Sequence, residues 1–100
     1  YELGRNAALL PIYLRGRAYL QLNAGKEAAT EFRKIIDHPG IAPFSLLHAL
    51  ALPGLARALA IQGDTGNSRR AYQEFFTFWK DADPEIPVLR AARREYANLR

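Results

Sequence analysis

The chain has no cysteine among its 100 residues. Disulfides, thiol nucleophiles and cysteine-ligated metals are therefore excluded. It also lacks any apolar run near the length that crosses a bilayer, about 20 residues. A secretory signal needs a charged segment followed by an apolar one, and the opening residues carry no such pattern. There is no glycine-rich phosphate loop and no strand-like alternation of useful length. The chain is nonetheless not a disordered one. Hydrophobic residues make up 49% of it, enough for one thin core in a domain this small. It opens on Tyr1, not methionine, so residues 1–100 are expected to be a single domain taken from a longer protein. No membrane contact is expected from this segment, and the cytoplasm is the expected compartment. The net charge of +4, from 14 basic and 10 acidic residues, is common on Arg-rich helical surfaces and needs no anionic partner.

What is present is helical periodicity. Within residues 26–36, Ala28, Phe32, Ile35 and Ile36 fall at i, i+4, i+7 and i+8, one face of a helix. Ser68, Tyr72, Phe75, Phe76 and Trp79 repeat the pattern over residues 65–80 and extend it by a turn. Residues 7–22 and 45–62 are rich in Ala and Leu with few β-branched residues, which favours helix. Leu89, Ala92, Tyr96 and Leu99 stripe a last helix of about 84–99. The punctuation agrees: Asn23-Ala24-Gly25, Asp37-His38-Pro39-Gly40 and the segment Gly63 to Asn67 separate the helices. Pro11 fits the first helical position. Pro53 falls mid-helix, predicting a kink near residues 50–53 or a later start.

Two segments align without gaps. "GRAYLQLNAGKEAATEF" begins at Gly16 and "ARALAIQGDTGNSRRAY" at Ala56, an offset of 40 residues. Gly16, Tyr19, Ala28 and Phe32 thus match Ala56, Leu59, Ser68 and Tyr72. Small residues at such positions let paired helices approach, and large ones fill the gap. This pattern of small, large, small and aromatic residues, with Gly63-Asp64 at the turn, resembles the tetratricopeptide repeat (TPR) family. The resemblance covers residues 9–80. It implies an all-α antiparallel helix-pair solenoid: repeat one at 9–37, a loop at 38–44, repeat two at 45–80, then a capping helix. The family period is about 34 residues; the longer spacing here is assigned to the loop. Ile12 and Leu52 stand where the family usually has Trp. "RGRAYL", "EFRKIIDHPGI" and "REYANLR" also look like the C-terminal repeats of large bacterial signalling proteins, many with a serine/threonine protein kinase domain upstream.

No catalytic constellation is expected. Ser45 and Ser68, with His38 and His48, form no nucleophile elbow, and Ser68 fills a small-residue position of the repeat. Asp81, Asp83 and Glu85 alternate as calcium ligands do, but the tight-turn Gly and the distal Glu of such loops are missing. The structural reading makes Asp83 the cap of the last helix, with Pro84 or Pro87 at its first position. "FFTFW", residues 75–79, is then a shelf under that helix, with Trp79 covered by Leu89 and Tyr96. No cofactor and no metal are expected. The Arg residues at 90, 93, 94 and 100 lack interleaved aromatics, so no nucleic acid is expected.

The resemblance implies a non-catalytic protein-interaction module. Its groove is lined by the first helix of each pair: Tyr13, Arg17, Leu20 and Gln21, then Leu50, Arg57, Ala60 and Ile61. Arg17 and Arg57 are equivalent in the two repeats, and such a pair suits an acidic segment or a peptide carboxylate. The opposing reading has both Arg side chains paired with nearby Glu. Tyr13 and Gly54 stand at positions where chaperone-tail clamps differ, so no chaperone partner follows. The alternatives to a partner-binding module are a structural spacer or dimerisation element, with self-association of the fragment, and a nucleic-acid-contacting domain.

Overall fold

A computed structural model of the chain describes residues 2–37, 46–79 and 86–99. Among these the chain forms five helices and no strand: α1 (Glu2–Gln21), α2 (Gly25–Ile36), α3 (Leu46–Ile61), α4 (Thr65–Phe78) and α5 (Pro87–Ala97). Packing is mainly sequential, each helix lying on the next, with α1 also meeting α3. The radius of gyration is 13.0 Å, the value of a compact domain of about this length.

The core follows the predicted stripes. Ala28, Phe32 and Ile35 of α2 join Ala51 and Ala58 of α3 in one buried cluster, with Ile12, Tyr13, Tyr19 and Leu20 of α1 around it. Tyr72 and Phe75 of α4 join Leu52 and Ala56 of α3 and Leu89 and Ala92 of α5 in a second. Helix α3 stands between the two clusters. It is apolar nearly all round because almost every side packs on protein.

The repeat is written in the turns as well as the core. Ala24 N–H donates to the Tyr19 carbonyl at 2.9 Å and Asn23 N–H to that of Leu20 at 3.0 Å; Asp64 to Leu59 and Gly63 to Ala60 reproduce both distances. This is the Schellman closure, which needs a left-handed residue after the helix. Asn23 (φ 56°) and Gly63 (φ 82°) fill that place. Asn23→Gly should therefore raise stability by about 0.5–1 kcal/mol, since only glycine adopts this conformation without steric cost. A thermal melt checks it, and a lowered Tm would mean that the left-handed turn is not held in solution.

Two expectations need correction, those for Pro11 and Asp83, and one alternative, a later start of the third helix, falls away. Helix α1 begins at Glu2, so Pro11 lies inside it instead of at its first position. The residues before Pro11 include good helix formers, and its own ring is exposed. Helix α3 starts at Leu46 and runs through Pro53 without a later start. Helix α5 is preceded by Ile86 as N-cap, with no side-chain cap bond, and Pro87 opens it. Asp83 is therefore not its cap, because Pro87, with no N–H to satisfy, is the residue that starts the helix. Asp81, Asp83, Glu85, His38 and Ser45 lie outside the described residues. Asp64 does cap α4, accepting from Asn67 N–H.

The aromatic shelf is present. Phe75 is fully buried, and the half-buried Phe76 and Trp79 pack against the cluster containing Leu89 and Ala92. Tyr96 meets Tyr72 and Phe76 edge-on, with centroids 6.1 and 5.5 Å apart. Ser68 is completely buried, and its hydroxyl donates to the Ala56 carbonyl at 2.7 Å. It ties α4 to α3.

Candidate functional site

Helices α1, α3 and α5 contribute most of the lining of two adjoining clefts. The first, about 310 Å³, is lined by Tyr13, Arg17 and Leu20 of α1 and Leu50, Pro53, Gly54 and Arg57 of α3, with Phe32 and Val88. The second, about 440 Å³, is lined by Leu20, Gln21, Arg57, Ala60, Ile61 and Tyr72, with Glu95, Asn98 and Leu99 from the last turns of the chain. Leu20 and Arg57 belong to both. All eight positions expected to face a groove therefore line this one surface. Sequence reasoning missed Tyr72 and Glu95, which lie on α4 and α5.

The two arginines are not electrostatically equivalent. Arg57 Nε donates to Glu95 Oε1 at 2.7 Å. The Tyr72 hydroxyl donates to the same oxygen at 2.8 Å. One carboxylate thus ties α3, α4 and α5 together. Burial alone disfavours the Arg57 charge, but Glu95 more than offsets it and holds the guanidinium above its usual range. Burial first, and the neighbouring carboxylate second, push the Tyr72 phenol well above the ordinary tyrosine value. Arg17 is exposed, its guanidinium carbon 6.0 Å from the centre of the Tyr13 ring. That is a cation–π distance, and among the described residues Arg17 has no acidic partner. The spacing that makes Arg17 and Arg57 look alike is blind to α5, which supplies the carboxylate to one and not the other.

A second charged cluster lies between α1 and α2. Glu31 is buried, accepting from Arg15 Nε at 2.7 Å and Lys34 Nζ at 2.9 Å. Burial raises the Glu31 carboxyl, but the hydrogen bonds from Lys34 and Arg15 outweigh it and hold the group below the usual carboxylate range. The Lys34 contact has helical i,i+3 spacing and is legible in the sequence; the Arg15 contact needs the fold. Sharing no residue with the two groove clefts, Arg33, Asp37, Arg70 and Glu74 flank a cleft of about 320 Å³ across α2, α3 and α4.

Among the described residues, no group of three or more His, Asp or Glu is placed to hold a metal ion. No helix there is long and apolar enough to cross a membrane. Neither a family model, nor a curated protein, nor a solved structure matches the chain.

Proposed function

We propose that the chain is a TPR-like, non-catalytic module that binds a protein segment in the groove of α1, α3 and α5. The observation that carries this reading is the gathering of all eight expected positions, six of them related in pairs by the 40-residue offset, on one concave surface, apolar at Leu20, Ala60, Ile61 and Leu99 and basic at one end. The Schellman turns repeated at an offset of 40 residues support the helix-pair architecture. Arg17 carries the free positive charge of the groove, so the segment presents an acidic group towards Tyr13 and Arg17. Arg57, already engaged by Glu95, shapes the floor and contributes less charge. The wider setting we propose is a bacterial multidomain signalling protein, of the kind that carries a serine/threonine kinase domain.

Selection of displayed peptides on the purified chain tests the reading. Acidic sequences should be enriched over basic ones. Arg17→Ala should weaken a selected peptide about tenfold, equivalent to one charge-assisted contact of about 1.4 kcal/mol. Unchanged affinity in both Arg17→Ala and Arg57→Ala would remove the groove from consideration.

A further inference from the structure

We infer that two copies of this chain pair through the outer face of α1, antiparallel, about a two-fold axis level with residue 16. That face is one stripe of exposed residues at every fourth position: Leu10, Leu14, Ala18 and Leu22. The three leucines are 46%, 53% and 74% exposed. None of the four lines either groove cleft; only the flanking Gln21 belongs to both faces, so the pairing does not rest on the groove reading.

The internal repeat indicates what such a face is for. At an offset of 40 residues the stripe corresponds to Leu50, Gly54, Ala58 and Gln62 of α3. On α3 the last three of these meet α2. The Phe32 ring lies on Gly54, Gly25 approaches the Ala58 carbonyl, and Gln62 Nε2 donates to the Gly25 carbonyl at 3.3 Å. The α1 stripe therefore has the register of a packing face.

It is not shaped for another helix of the α2 kind. A Cβ at Gly54 would already sit 2.6 Å from the Phe32 ring. The α1 counterpart is Leu14, whose side chain occupies the space that such a ring would need. The occupant must instead offer a small residue opposite Leu14, and α1 does so itself. In the antiparallel pair, Leu14 faces the partner's Ala18 and Leu10 faces the partner's Leu22. Large meets small at the centre and leucine meets leucine at the ends. The stripe itself carries no charge; of the two arginines beside it, Arg15 is already paired with Glu31 and Arg17, exposed and over the Tyr13 ring, stays at the rim in water, so no unpaired ion is buried. Even with the four side chains and the flanking Pro11 and Gln21 wholly covered, two copies bury at most about 1,000 Å² in total, the lower limit for a specific interface. The dimer is accordingly weak and concentration-dependent.

Sedimentation velocity of the 100-residue chain from micromolar to millimolar concentration should show monomer passing to dimer. Leu14→Arg and Leu22→Arg should each hold it monomeric with an unchanged circular dichroism spectrum, because both sites are exposed. Arg17→Ala, which weakens the groove, should leave the dimer intact. The chain's lack of cysteine permits a geometric test: Leu14→Cys mixed with Ala18→Cys should form a mixed disulfide faster than either variant links to itself. A wild type monomeric at millimolar concentration, a dimer that survives both Arg variants, or Ala18→Cys linking to itself as fast as to Leu14→Cys would each overturn the inference.

Discussion

Phe32→Ala is expected to cost about 3–5 kcal/mol, a large fraction of the stability of a domain this size. Phe32 is fully buried in the middle of the α1–α2–α3 cluster. A Cβ at Gly16 would lie 2.9 Å from its ring and one at Gly54 2.6 Å, while Tyr13 meets it edge-on at 5.9 Å. The ring is held between two helices whose residues are small because it is there. A second substitution makes the account specific. Gly54→Ala alone should destabilise by about 1–3 kcal/mol, because the ring cannot move away without striking α1. In the Phe32→Ala background the same change should become neutral or stabilising, since alanine is the better helix former by about 1 kcal/mol and the obstruction is gone. Urea unfolding of the four proteins measures this directly. Additive effects would mean that Phe32 and Gly54 do not touch in solution.

Glu95→Gln should lower stability by about 1–2 kcal/mol while making the groove more basic. The carboxylate accepts from Arg57 and Tyr72 on one oxygen. Replacing it leaves a half-buried guanidinium without its counter-ion. Loss of a charge-assisted bond costs roughly 1.5–3 kcal/mol, reduced here because both side chains keep a third or more of their surface in water. The gain appears in binding. With Arg57 released beside Arg17, an acidic peptide should bind several-fold tighter at low salt, and the difference should shrink as salt screens it. A variant that loses both stability and acidic-peptide affinity would show that Glu95 contacts the ligand rather than restraining Arg57.

Much of this was legible in the sequence, and what was not has a common cause. Positions such as Ala28, Phe32 and Tyr72 declare a buried helical face through spacing alone, and the structure buries them. Asn23 and Gly63 announce the turns because only a few residue types accept a left-handed backbone. The groove positions on α1 and α3 follow once the helix pairs are drawn. Glu95 and Tyr72 did not follow, because their meeting with Arg57 depends on the angle at which α5 is laid across α3 and α4, and no local spacing records that angle. The same holds for Arg15 and Glu31, 16 residues apart. Pro11 misled for a different reason. A proline near an Ala-rich run reads as a helix start, whereas an exposed ring inside a long helix is tolerated where the freed carbonyl can reach water. The starting point of α5 was misplaced because Asp83 offers a better cap by residue type than Ile86, and residue type says nothing of which proline opens the helix.

The groove is the centre of the account, and amide chemical-shift mapping with a selected acidic peptide tests it most directly. The reading predicts perturbations at Tyr13, Arg17, Leu20 and Arg57, sharply reduced in Arg17→Glu while the rest of the spectrum is kept. Perturbations gathered instead around Arg33, Arg70 and Glu74, at the separate cleft across α2, α3 and α4, would contradict it.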